Sequence, residues 1–217
     1  VNEYLNSLIR KEKCAMNISK KLIEVCQSLY ANKPGDDATT VTIKLRRPQI
    51  IDFFTGPPQE KEKDAFAITN FMKGSGKKIV AGGTASKIVA RELKEDLVVN
   101  MDFIDPEVPP TASIRGLDLV TEGVLTLNKA IEKIKSYSSN LSDGAEPFSL
   151  KGEDGASRLA RMLVEDSTHL NLWVGKAVNP AHQNPDFPID LSIKLKVVEE
   201  LAGLMIKLGK KVKLTYI

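Results

Sequence analysis

A chain of 217 residues with 42% hydrophobic and 27% charged residues has the balance of a globular protein able to bury a core. Its net charge of +3 and 6% aromatic content argue against nucleic acid as a partner, since neither a basic face nor stacking aromatics stand out. Two cysteines, Cys14 and Cys26, exclude a disulfide framework or a cysteine zinc site and fit a reducing, cytoplasmic setting. No apolar run reaches bilayer length and no signal peptide opens the chain, so no membrane partner is expected.

The opening "VNEYLNSLIRKEK" already reads as helix, and with Val1 as first residue the chain reads as a piece of something longer. Residues 15–31 place Ile18, Leu22, Cys26 and Leu29 at helical spacing opposite Lys20, Lys21 and Glu24, with Asn17 or Ser19 as the cap. A turn, "NKPGDDA", then leads into a β-branched strand, "TTVTIKL".

From Arg47 the rhythm changes. "PQIIDFFTG", "KKIVAGG", "LVVNMDFI", "IRGLDLVTEG", "HLNLWVG" and "KKVKLTYI" read as strands. Between them "PPQEKEKDAFAITNFMKGSG", "TASKIVARELKED", "VLTLNKAIEKIKSYSS", "ASRLARMLVED" and "LSIKLKVVEELAGLMIKLG" read as helices, with Leu127, Ile131 and Ile134 on one face of the third. Residues 138–157 read as a surface loop. The charge runs "EKEKD" and "RELKED" read as solvated helix faces. The pattern predicts an α/β fold, a largely parallel sheet with helices on both faces, over residues 48–217, preceded by a helix–strand segment over residues 1–47.

In an open parallel sheet, ligands settle at the carboxyl ends of the strands. Here glycine marks those ends. Gly82 and Gly83 permit close backbone approach, and Thr84 opens a helix whose free N–H groups attract anions; a ligand-free tight turn is the alternative. Glu122 stands at another strand end, and Lys176 follows "WVG". The polar loop beyond it gathers Asn179, His182, Gln183 and Asn184 between prolines, either for a ligand or to satisfy backbone groups. His169, lacking a nucleophile or second ligand, reads as structural, and no catalytic residue is assigned. Asp36 and Asp37, side by side at the mouth of a strand, suit a solvated turn or a hard cation such as Mg²⁺ or Mn²⁺.

The helix, the turn "KPGDDAT" and the strand "TVTIKL" together resemble the carboxyl-terminal edge of the SpoIIE-family serine/threonine phosphatases, of the metal-dependent type 2C class. In that class a "GDDxT"-like signature carries the last metal-binding carboxylate. The resemblance implies that Asp36 holds Mg²⁺ or Mn²⁺ in a parent enzyme; Asp37 is the neighbour that the class often replaces by Asn. It covers only about residues 1–45, and the family's other metal-binding aspartates precede the signature, so this chain alone is expected to lack phosphatase activity. "GPP", "GGTASKIVAREL", "VPPTASIRGLDLVTEG" and "GKAVNPAHQNPD" are similar to a carboxyl-terminal extension of some bacterial members, for which the resemblance implies no residue roles.

The expected function is a regulatory portion of such a phosphatase. Its partners would be the rest of the catalytic domain, the parent's phosphoprotein substrate and a small anionic ligand held at Gly82, Gly83, Thr84, Lys176 and His182. Two alternatives stand beside it: an enzyme acting on a phosphoester or nucleotide through His182 and Glu122, or a homodimerisation module. Residues 1–45 are expected to pack on the α/β body or on a second copy, because an unpaired strand edge invites pairing.

Overall fold

The computed structural model describes residues 2–217 other than 13, 34, 36, 103, 143–149 and 178–192. The chain divides into two compact units, Val1–Arg47 and Pro48–Ile217.

In the first unit, α1 (Asn2–Lys11) and α2 (Ala15–Leu29) form a helix pair with Leu8 and Ile18 buried. Neither Asn17 nor Ser19 caps α2. Cys14 occupies the N-cap without a side-chain bond, Asn17 Nδ2 donates to Glu12 Oε2 at 3.2 Å, and Ser19 Oγ donates to Thr42 Oγ1 at 2.6 Å. A Cβ on Gly35 would come within 2.5 Å of the exposed Tyr30 ring, so a side chain there requires that ring to move.

The expected strand over residues 39–45 does not form. The stretch has the right alternation, and Val41, Ile43 and Leu45 are 78%, 82% and 93% exposed. A strand exists through its ladder, however, and no described segment pairs with this one.

The second unit is an α/β fold with a seven-stranded, mostly parallel sheet among the described residues. Its strands are β1 (Ile50–Thr55), β2 (Lys77–Ala81), β3 (Val98–Val99), β4 (Ala112–Ser113), β5 (Leu119–Thr121), β6 (His169–Val174) and β7 (Lys211–Tyr216), in the order β3-β4-β5-β2-β1-β6-β7. From β5 to β7 all pairings are parallel, while β3 and β4 add an antiparallel edge.

Period-two alternation sorts the side chains into two layers. Ile51, Phe53, Ile79, Leu170 and Leu172 face α5 (Val124–Ser142), α6 (Gly155–Val164) and α7 (Ile193–Lys207). Phe54, Val80, Val120 and Trp173 face α3 (Asp64–Lys73) and α4 (Gly83–Leu93). With helices on both faces, β1 is buried along nearly its whole length, as a central parallel strand must be. Phe54 and Phe71 meet with ring centroids 5.4 Å apart.

At the amino-terminal end of the sheet, three neighbouring strands share a buried polar chain. Lys78 Nζ donates to Asp52 Oδ2 at 2.5 Å and to the Gly74 carbonyl at 2.7 Å. Asn171 Nδ2 donates to Asp52 Oδ1 at 2.8 Å. Asp52 and Lys78 are 2% and 5% exposed, so each charge depends on the other for compensation.

"LVVNMDFI" is not the third parallel strand. Only Val98 and Val99 pair, antiparallel to β4, and Leu119–Thr121 takes the parallel position beside β2. The run is apolar, yet Val98, Val99, Met101 and Ile104 are exposed. Lying at the sheet edge, it is tied back by the Asn100 amide to the Thr111 carbonyl at 2.9 Å.

Candidate anion site at the carboxyl ends of the strands

The parallel strands run outward from β1 in two directions, first to β2 and β5, then to β6 and β7. The strand order therefore reverses between β1 and β6, with α3 after β1 on one face and α7 on the other, the place where open α/β sheets form a ligand crevice. The two exits touch through backbone. The Gly175 amide donates to the Thr55 carbonyl at 2.9 Å, and a Cβ on Gly175 would lie 2.0 Å from the Pro57 carbonyl oxygen. A side chain at 175 would push the exits apart.

Lys194, near the start of α7, secures the same point. Its Nζ donates to the carbonyls of Gly175 at 2.6 Å and Ala177 at 3.2 Å, and burial pushes its pKa down. Nothing in "LSIKLK" distinguishes this lysine from an ordinary helical one.

The β2 exit enters α4 through Gly82, whose φ of 115° suits glycine alone. The Gly82 amide donates to the Thr121 carbonyl at 3.0 Å, and its carbonyl accepts from the Ser86 amide at 2.8 Å. No side chain caps α4. The amides of Gly83, Thr84 and Ala85 thus belong to the helix's unsatisfied first turn and carry the positive end of its dipole. Gly83 and Thr84 are exposed, and a Cβ on Gly83 would meet nothing within 4 Å.

Beside this turn lies a cleft of about 520 Å³. One wall is the loop after β1 with Pro57, Pro58, Gln59 and Lys61. The other is a single α4 face carrying Thr84, Lys87, Ile88 and Arg91, spaced at three and four residues. Asp64 joins the walls: 3% exposed in the first turn of α3, it accepts from Arg91 Nη2 at 2.6 Å. Hydrogen bonds to Asp64, then to Glu92, hold the Arg91 pKa above its usual value. The "EKEKD" and "RELKED" runs are therefore not wholly solvated faces. Asp64 is buried, and Lys61 and Arg91 turn into the cleft.

The residues singled out in sequence are only partly gathered here. Gly82, Gly83 and Thr84 form the α4 turn, of which Thr84 lines the cleft. Lys176 instead borders a neighbouring basin of about 410 Å³, its Nζ 4.7 Å from the centre of the Tyr216 ring; Gln59 lines both hollows. Glu122 is exposed at the β5 exit and lines neither. His182 and Asn184 lie outside the described residues, as does Asp36. Lys61, Lys87, Arg91 and Asp64 escaped the sequence reading.

Asp37 is described and exposed. Among the described residues no three His, Cys, Asp or Glu side chains are grouped to hold a metal ion, so these residues do not by themselves fit Mg²⁺ or Mn²⁺. Among the described residues no helix is long and apolar enough to cross a membrane. Comparison with protein-family models, curated proteins and solved structures finds no match to the chain.

Proposed function

We propose that this chain is the regulatory end of a cytoplasmic, metal-dependent SpoIIE-type serine/threonine phosphatase, and that residues 48–217 bind a small anionic ligand at the carboxyl ends of their sheet. The observation that carries the binding reading is the uncapped α4 turn opening beside a cleft, next to the reversal of strand order between β1 and β6. The link to a phosphatase rests on the likeness of residues 33–45 to the signature of that family, with Mg²⁺ or Mn²⁺ as the parent's cofactor.

The amides of Gly83, Thr84 and Ala85 would donate to the anion and the Thr84 hydroxyl would add a fourth donor, while the helix dipole favours its charge. Pro57 and Pro58 on one wall and Ile88 on the other give the cleft apolar surface, and a less watery setting would strengthen each of those bonds. Nothing is transferred in this scheme; the ligand acts by preferring one of two states of the larger protein.

Calorimetric titration with inorganic phosphate tests the binding reading. The chain is expected to bind saturably, and Gly83→Asp, which sets a carboxylate at the α4 turn in open space, is expected to weaken binding by about tenfold or more without lowering the melting temperature, since an acid at a helix start is favourable. Absence of binding in the unaltered chain, or binding indifferent to Gly83→Asp, would overturn it. For the regulatory half, phosphopeptide hydrolysis by the longer enzyme in manganese buffer should change when phosphate is added and not in its Gly83→Asp form.

A further inference from the structure

We propose that residues 40–46 of one copy of the chain add as a new edge strand to β3 of a second copy, antiparallel to it and with Ile43 opposite Val99. The inference concerns how the chain associates with itself and does not depend on the ligand reading above. Among the described residues, nothing pairs with residues 40–46, and β3 ends the sheet with β4 on one side only. The Asn100 amide bonds back to the Thr111 carbonyl at 2.9 Å. The backbone groups of Val99, the residue before it, therefore point to the open side.

Both stretches show apolar side chains to the outside. Val98, Val99, Met101 and Ile104 are each exposed over half or more of their surface, and an apolar sheet edge is a template for another strand. In residues 40–46, Val41, Ile43 and Leu45 share one face of an extended chain, with Thr40, Thr42, Lys44 and Arg46 on the other. Thr42 accepts from Ser19 of α2 at 2.6 Å. The polar face thus turns to its own helix pair, and the apolar row is left outward.

The two patterns fit in register. With Ile43 opposite Val99, antiparallel pairing sets Leu45 against Leu97, Val41 against Met101 and Arg46 against Asp96. Moving Ile43 to face Val98 would instead set Leu45 against Asp96 and Val41 against Asn100. Charge selects the occupant. Residues 40–47 carry Lys44, Arg46 and Arg47 and no acid, whereas residues 95–105 carry Glu95, Asp96, Asp102 and Asp105 and no base. Pairing β3 with another β3, or residues 40–46 with their own copy, would oppose like charges; pairing one with the other opposes unlike charges. A second copy carries the matching strand, and exchange in both directions closes as a twofold dimer.

Sedimentation velocity on the full chain tests the exchange. A dimer is expected at about 50 mM salt, with a dissociation constant about tenfold or more higher at about 500 mM, where charges are screened within a few ångströms. Asp96→Lys with Asp102→Lys should give a monomer, and so should Lys44→Glu with Arg46→Glu. Mixing these two variants should restore a dimer, because each then meets a strand of opposite charge. Val99→Asp should also give a monomer. All five altered positions are exposed, so the circular dichroism spectrum of each variant should match that of the unaltered chain. A chain that stays monomeric at about 100 μM, a dimer that survives Val99→Asp, or a mixture of the folded charge variants that stays monomeric overturns the exchange.

Discussion

The two ends of the sheet handle charge in opposite ways. At the amino-terminal end, Lys78 and Asp52 are buried, and with the half-buried Asn171 they consume one another's hydrogen bonds. At the carboxyl-terminal end, the α4 turn is uncapped, and Lys61 and Lys87 have no ionic partner among the described residues. Buried charges must be matched internally or the fold fails; exposed charges left unmatched are tolerated at little cost to stability. Polarity at the first end serves the fold, while polarity at the second is available to something outside it.

The contrast breaks most visibly at Asp52. Asp52→Ala strands the Lys78 ammonium between two layers, and equilibrium urea unfolding should show a loss of about 3–5 kcal/mol. Replacing both groups, with Asp52→Leu and Lys78→Met, should recover most of that loss. If the single change is as mild as the double, the pair is not matched in the way its geometry implies. Gly175→Ala comes next. Its Cβ would collide with the Pro57 carbonyl, and about 1–3 kcal/mol of overpacking is expected in the same assay, with weaker phosphate binding because the exits separate.

A smaller effect belongs to Asp154, the N-cap of α6, which accepts from the Ser157 amide at 2.9 Å and from its hydroxyl. Burial alone would raise its pKa, but the Ser157 hydrogen bonds and the Lys133 charge more than reverse this, and the net shift is downward from 3.8. A carboxylate with a depressed folded pKa stabilises fully above its unfolded value and loses that contribution as pH falls through the folded one. Asp154→Ala should therefore cost about 0.5–2 kcal/mol at neutral pH, and the gap from the unaltered chain should close below pH 3.8. At the open end, Lys61→Ala with Lys87→Ala should leave stability within about 0.5 kcal/mol. A larger loss would mean that these lysines hold the fold together, and the contrast between the ends would dissolve.

Much of the fold was legible because burial leaves a pattern in the chain. β1, β2, β6 and β7 emerge from apolar or alternating runs, and α4 to α7 from their helical spacing. The loop expected over residues 138–157 is helical at both ends, as α5 reaches Ser142 and α6 starts at Gly155, while the two misread strands share one cause. "TTVTIKL" and "LVVNMDFI" have strand-like residues, but a strand is completed by its neighbour, and local sequence does not specify one. β4, with two residues, is too short to leave a pattern. The site was half legible. Gly82, Gly83 and Thr84 announce themselves by glycine chemistry at a strand exit. The cationic wall did not, because Lys61 and Arg91 sit in runs of alternating charge identical in composition to solvated ones. Only the packing of α3 beside α4, which buries Asp64 against Arg91, separates them from ordinary surface.

Trp173 is the chain's single tryptophan, paired in register with Phe54 on β1 and packed on the α3–α4 layer. Its indole Nε1 is buried without a hydrogen-bond partner among the described residues. Such an indole emits toward the blue and shifts red once water reaches it. Since Trp173 lies one residue before the end of β6, its fluorescence would give an unlabelled optical gauge of both unfolding and events at the crevice, from one fluorophore and without competing signals from another indole.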